Sequence, residues 1–337
     1  MKILTVMMKY DYGVEQRGYS YEYYNVHLPL CDVAGENNVI LFDFFAEFNR
    51  NGKAAMNKRL KELIKIEKPD LSIFCLFRDE FDDSVLDEIR SFTKTVAYFF
   101  DDPWRQDFVR HWIKHFNYFT TSDYYSLMNY YSEGIENVIH CPFGYNEKIY
   151  KKFDVEKIYD VSFVGGQNGY RSWLINFLGK NGIDVNVFGR GWGNKDRWLS
   201  QDEMVMIFNQ SKINLNLSNN FSKDYRFLLY SLSKPRELIR AIKTKKYKEM
   251  VKGRHFEINA CGGFQLSFFA PALNLVYEID KEIAVYEDIS SIADHIKFFL
   301  NNEPIRNKIA LKGYERSQND HSAQKYLKNL INTVIGA

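Results

Sequence analysis

Cysteine is scarce in this chain. Its four residues, Cys31, Cys75, Cys141 and Cys261, show no Cys-x-x-Cys spacing. That excludes a disulfide framework and a thiolate metal site, and leaves reduced, buried thiols as expected of a cytoplasmic protein. An excess of one charge is lacking too. Lys and Arg number 45 and Asp and Glu 43, a formal net charge of +2, so no global field calls for nucleic acid or an anionic membrane. No apolar run approaches roughly 18 residues, so no segment is expected to span a bilayer. Peripheral contact with the inner membrane face stays open. The apolar start Ile3–Met8 is too short for a secretory signal and runs into Lys9, Tyr10 and Asp11. Short-period repeats and low-complexity tracts are missing. The seven histidines show no ligand spacing.

What is present is apolar and aromatic. Apolar residues make up 45% of 337 and aromatics 16%, enough for about two domains with real cores. Short apolar runs alternate with amphipathic stretches, the pattern of parallel sheets covered by helices. In the first half the expected strands are Lys2–Met7, Asn38–Phe42, Asp70–Phe77, Thr95–Phe100, Phe116–Thr120 and Asn137–Cys141, with helices over Ala54–Glu67, Ser84–Phe92, Trp104–His115 and Asp123–Glu133. The rhythm lapses through Asn146–Lys157, read as a linker. A second series follows, with strands Asp160–Val164, Asp184–Phe188, Lys212–Leu217, Gly263–Ser267 and Ile283–Tyr286. Its helices are Arg171–Lys180, Gln201–Gln210, Arg254–Ala260, Ser290–Asn301, Pro304–Ser317 and His321–Val334. The expectation is two Rossmann-like halves, with ligands at the carboxyl ends of their strands and a site in the cleft between them.

Lys252-Gly-Arg-His-Phe-Glu-Ile-Asn-Ala-Cys-Gly-Gly263 is the most informative stretch. Arg254 and Glu257 share one helix face. A guanidinium beside a helix N-terminus holds a diphosphate, and a carboxylate one turn on accepts from a ribose diol. An ordinary surface helix with an i,i+3 ion pair and a glycine cap has the same spacing. Val161-Ser-Phe-Val-Gly-Gly-Gln-Asn-Gly-Tyr-Arg171 reads as a strand, a Gly-rich turn and a helix start. Gly165 and Gly166 permit close backbone approach of a phosphate and Arg171 adds donors, although a plain βα turn with a surface Arg fits as well. Ser218 and Asn219 end a strand of alternating Asn and Leu/Ile, either to contact a bound diphosphate or simply as a turn. In Thr95–Trp104, Asp102 before Pro103 fits a helix cap. That leaves Asp101 for the cleft, where a carboxylate could deprotonate a hydroxyl. Tyr10–Tyr24 is rich in tyrosine and borders the first strand, as a sugar-stacking loop or as the start of a packed helix. The basic run 234–254 reads as a solvated helix face or a phosphate-contacting one.

The Lys-Gly-Arg-x-Phe-Glu-x-x-x-Cys-Gly-Gly run resembles the donor-binding helix of GT-B glycosyltransferases, and among them the CgeB-like (spore-maturation-protein-like) enzymes. The likeness covers roughly residues 155 to 335 well and the first half in layout. It implies a GT-B fold, with two Rossmann-like α/β domains facing across a cleft: an acceptor-side domain over 1–148, a donor domain over 155–318, and a closing helix within 319–337 that in GT-B enzymes packs back on the N-terminal domain. It implies a hexosyl- or related transferase using a nucleotide-sugar, with Glu257 on the ribose and Arg254, Lys252 and Arg171 on the diphosphate, and a glycan, lipid-linked or protein acceptor. His321 matches a structural His seen in the family. Glu249, eight residues before Glu257, reproduces the spacing of many retaining GT-B enzymes and is set aside here as a charged helix face. No Asp-x-Asp pair is placed to hold a metal, so no obligate metal and no cofactor are expected. The spacing of Gly165-Gly166, Arg171 and Phe188-Gly189 also resembles phage DNA β-glucosyltransferases, which carry their base at a strand-end Asp like Asp101. A DNA-base acceptor is therefore the alternative, opposed by the near-neutral charge. A non-catalytic GT-B coat-assembly protein is a further one, opposed by the intact Gly-Arg-x-x-Glu set.

Overall fold

The computed structural model describes residues 1–218, 225–232, 239 and 248–336. The chain divides into two units, residues 1–146 with 322–337, and residues 147–321.

The first unit begins with β1 (Ile3–Met7), five consecutive buried residues. A strand buried on both faces reads as an unbroken apolar run, as parallel sheets require. A π-helical turn at Tyr23–His27 leads into α1 (Leu28–Ala34), and β2 (Val39–Asp43) follows. Asp43 then caps α2 (Phe44–Glu67) by accepting from the Ala46 amide at 3.1 Å. This helix starts ten residues before the expected Ala54. Gly52, at φ 79°, kinks it and interrupts the periodicity by which its first half would be recognised. The unit continues through β3 (Leu71–Phe74), α3 (Asp83–Ile89), β4 (Lys94–Ala97), α4 (Gln106–Trp112), β5 (Tyr118–Thr121), α5 (Tyr124–Ser132) and β6 (Val138–His140). The six strands are parallel in the order β2-β1-β3-β4-β5-β6, so the topology reverses between β1 and β3.

The second unit carries β7 (Tyr159–Val164), α6 (Gly169–Lys180), β8 (Asn186–Phe188), α7 (Gln201–Gln210), β9 (Ser211–Asn216), α8 (Tyr225–Leu232), α9 (Gly253–Ala260), β10 (Gln265–Phe268), α10 (Leu273–Val276), β11 (Ala284–Tyr286), α11 (Ile289–Asn301) and α12 (Glu303–Asp320). Its parallel strands run β11-β10-β9-β7-β8, reversing between β7 and β9. Helix α13 (Ala323–Ile335), capped by Ser322, belongs to the first unit. Its Leu327, Leu330, Ile331 and Val334 join Ile3, Met7, Val26 and Leu30 in one core, while Leu4, Val6, Leu60, Ile64 and Trp112 fill the core on the other sheet face. Among the described residues no helix is long and apolar enough to cross a membrane.

Candidate functional site

In an open α/β sheet ligands bind beyond the carboxyl ends of the strands, at the point where strand order reverses. In the second unit that point lies past β7 and β9, where the chain enters the Gly-rich turn and Ser218. Helix α9 runs back toward β10, so its N-terminus belongs to the same edge.

Arg171 ties this region together. Its Nη1 donates to the Gly166 carbonyl at 2.7 Å, Nη2 to Leu217 at 3.1 Å and Nε to Ser218 at 3.2 Å. Its guanidinium lies 5.0 Å from the centre of the Phe163 ring. Burial first, and the charge of Arg254 second, lower its pKa to about 10. Arg171 thus stays cationic at neutral pH, but much of its fork is committed to main-chain carbonyls. Asn168 caps α6 by accepting from the Arg171 amide at 2.8 Å. Gly165 packs under this turn: Trp192 Nε1 donates to its carbonyl at 2.8 Å, and its own amide donates to Phe188 at 2.9 Å. Gly166 faces open space.

On α9, Arg254 donates to Glu257, whose side chain is 0% exposed against 32% for Arg254. Gly253 and every residue from His255 to Ala260 are buried. The reading of this helix as a surface element with a superficial ion pair is therefore wrong. Glu257 Oε1 is buried without a hydrogen-bond partner. His255 anchors the helix start, its Nδ1 accepting from the Lys252 amide at 2.9 Å and its Nε2 lying 3.0 Å from Ser267 Oγ. Burial lowers its pKa to about 3, so it is neutral, and the Nε2–H tautomer satisfies both contacts. Lys252 Nζ lies 4.9 Å from the centre of the Phe268 ring and 3.9 Å from Glu249. Ser218 Oγ donates to Glu249, which draws into the cluster a residue that the sequence reading set aside. Three cations and two carboxylates thus gather at one sheet edge. Asn219 and most of the basic run 234–254 lie outside the described residues.

In the first unit, Asp101 is exposed past β4, while Asp102 is 1% exposed. Asp102 is not the cap expected of it. It begins a 3-10 turn, Asp102–Trp104, and α4 starts only at Gln106, with Arg105 at the cap position. Its Oδ2 instead accepts from Thr121 Oγ1 at 2.7 Å, and burial raises its pKa to about 7. His321 precedes α13, its Nε2 2.9 Å from the Val276 carbonyl, and packs on Phe256 and Tyr277. Among the described residues no group of three or more His, Cys, Asp or Glu is placed to hold a metal ion.

Residues 171–332 match the model of a family described as glycosyl transferase-like. By fold, the chain is similar to Alr3699/HepE of Anabaena, solved in complex with UDP and glucose, at a TM-score of 0.66 and 11% identity over the whole of both chains. Sucrose-phosphate synthase of Thermosynechococcus elongatus matches at 0.66 and 9%, again over both whole chains. AviGT4, a glycosyltransferase involved in avilamycin A biosynthesis, matches at 0.59 and 11%, over 100% of this chain and 99% of that one. No curated protein matches the chain in sequence. The two parallel-sheet units and these likenesses define a GT-B glycosyltransferase fold.

Proposed function

We propose that this protein is a metal-independent glycosyltransferase of CgeB-like type, moving a sugar from a nucleotide-diphosphate-sugar to a hydroxyl acceptor. The observation that carries the reading is the Arg254–Glu257 pair on a buried helix whose N-terminus adjoins Arg171 and Ser218. The family match over residues 171–332 supports it.

Arg254 and Lys252 would neutralise the departing diphosphate, the electrostatic share of catalysis. Arg171 would hold the Gly165-Gly166 turn against Ser218 rather than meet the diphosphate with its full fork. A buried acceptor without a partner costs about 1–3 kcal/mol, and a ribose hydroxyl donating to Glu257 Oε1 would recover that cost. Asp101, exposed beyond β4, is the base for the acceptor hydroxyl if transfer inverts. UDP is the first nucleotide to test, because HepE was solved with it.

Thermal shifts with UDP, GDP, CDP, dTDP and ADP test the reading on wild type, Arg254→Lys and Arg254→Ala. Saturation at a hundred times the dissociation constant adds about 2.7 kcal/mol. One nucleotide should stabilise wild type, less so Arg254→Lys, which keeps the charge without the fork, and Arg254→Ala not at all. Silence from all five nucleotides would overturn the transferase reading and favour the non-catalytic one.

A further inference from the structure

The first unit holds a cavity of about 330 Å³, its lining drawn from the segments that follow β1, β3 and β4, with Phe143 from beyond β6. It therefore sits where the six-stranded sheet reverses its order, within the size range of roughly 300–1,000 Å³ usual for small-molecule sites. Tyr12, Phe77, Phe100 and Phe143 form much of its wall, and Glu22 and Asp102 supply carboxyl groups. Tyr12 is 52% exposed and meets Phe77 edge-on at 5.5 Å, so an aromatic face is offered at the surface. Deeper in, Phe100 packs on Tyr21 and Phe143.

Resting on the transferase reading above, we propose that this cavity is the acceptor site and that it takes a neutral sugar, whose ring stacks on the aromatic wall while its hydroxyls bond to Glu22 and Asp102. Sugar rings present C–H faces that match aromatic rings and hydroxyl edges that match carboxyl groups. Asp102 leaves Oδ1 buried without a hydrogen-bond partner, an acceptor waiting for a hydroxyl. Glu22 is 9% exposed and precedes the π-helical turn Tyr23–His27, a distortion found frequently at functional sites. The lining carries Asp11, Glu22, Asp101 and Asp102 against one cation, Arg105, a balance that disfavours an anionic ligand, and so many carboxyl groups are out of place on the wall of an alkyl-chain tunnel. Burial, first among the causes, raises the pKa of Glu22 to about 7, and Asp11 and Asp43 add to the shift. The protonated form of Glu22, present near neutral pH, donates as well as accepts.

Saturation-transfer NMR on the full chain tests this, using methyl glucoside, methyl galactoside, methyl N-acetylglucosaminide and methyl glucuronide as probes, with a UDP thermal shift measured on the same samples. At least one neutral glycoside should bind wild type and the glucuronide should not. Glu22→Gln, which keeps the shape, and Tyr12→Asn, suited to the φ of 48° at that position, should each weaken the neutral glycoside by about 3–10-fold. The exposed Tyr125→Asn, outside the cavity, should not. Absence of neutral glycoside binding, preference for the glucuronide, or indifference to both cavity variants overturns the proposal. A UDP shift without glycoside binding sinks this inference and spares the donor reading. Glycoside binding lost in the cavity variants, with no UDP shift, upholds the sugar site and sinks the donor reading.

Discussion

Arg254 donates to Glu257 one helical turn away, and the carboxylate it meets is fully buried. A superficial ion pair contributes about 0–1 kcal/mol. Removing one partner of a buried pair costs about 3–5 kcal/mol, because a charge is left without compensation. Arg254→Ala should therefore lower the unfolding free energy in urea by about 3–5 kcal/mol. Adding Glu257→Gln to it should restore part of that loss, since the stranded group is then neutral. A loss below about 1 kcal/mol, or no recovery in the double variant, would mean that the pair carries no such weight.

Asp102 makes stability depend on pH. Its folded pKa is raised from 3.8 to about 7 by burial, with the charge of Asp123 adding and the Thr121 hydrogen bond opposing. The raised value means that folding favours the protonated form. Its contribution is full below about pH 4 and is lost as pH rises through about 7. His255 and His27, whose pKa values burial lowers, slope the other way over the acid range. The measurement is therefore the difference between wild type and Asp102→Asn. Denaturation midpoints at pH 5 and pH 8 should show the variant gaining on wild type by about 1–4 kcal/mol at the higher pH. Parallel curves would refute the assignment.

Much of the fold was legible because sheet burial writes itself into the chain. Strand β7 was expected from Asp160 and starts at Tyr159, and α7 was expected and found at Gln201–Gln210, where Ser200 and Glu203 form a capping box. Segments without a clean period were less readable. The first half of α2 hides behind Gly52, and the Tyr-rich segment Tyr10–Tyr24 fits a loop and a helix start equally well, the π-helical turn Tyr23–His27 and α1 taking over only at its end. At the site, spacing pointed to Arg254 with Glu257 but carries no information on depth. The burial of Glu257, of Asp102 and of Glu22 comes from packing by distant segments. The commitment of Arg171 to Leu217 and Ser218, 46 and 47 residues away, is equally invisible to spacing.

Gly189, directly after β8, and Gly166, in the Gly-rich turn after β7, allow backbone necessity and ligand approach to be tested separately. Gly189 sits at φ 120°, and a Cβ there would lie 2.8 Å from the Gly165 carbonyl oxygen, which is main chain and cannot swing away. Gly189→Ala should cost about 1–3 kcal/mol in chemical denaturation. At Gly166 an added Cβ meets nothing within 4 Å. Gly166→Ala should leave stability within about 0.5 kcal/mol, yet weaken nucleotide binding if the donor diphosphate approaches that backbone. Unchanged nucleotide affinity in Gly166→Ala would place the diphosphate elsewhere.

Arg171 offers the sharpest choice between two roles for one charge. If it meets the diphosphate as a cation, Arg171→Lys should preserve most nucleotide affinity and nearly all stability. The geometry favours the other outcome. Three nitrogens of one planar group reach the carbonyls of Gly166, Leu217 and Ser218, and a single ammonium cannot reproduce that fork. Arg171→Lys should then lose about 1–3 kcal/mol of stability, as the carbonyls of buried Leu217 and Ser218 lose their donors. Hydrogen exchange should rise at the amides around Gly165 and Ser218 and stay unchanged in α13 of the other unit. Nucleotide affinity should fall in step with that local loosening. Full stability with unchanged exchange in this variant would show that the tie is dispensable and return Arg171 to the diphosphate.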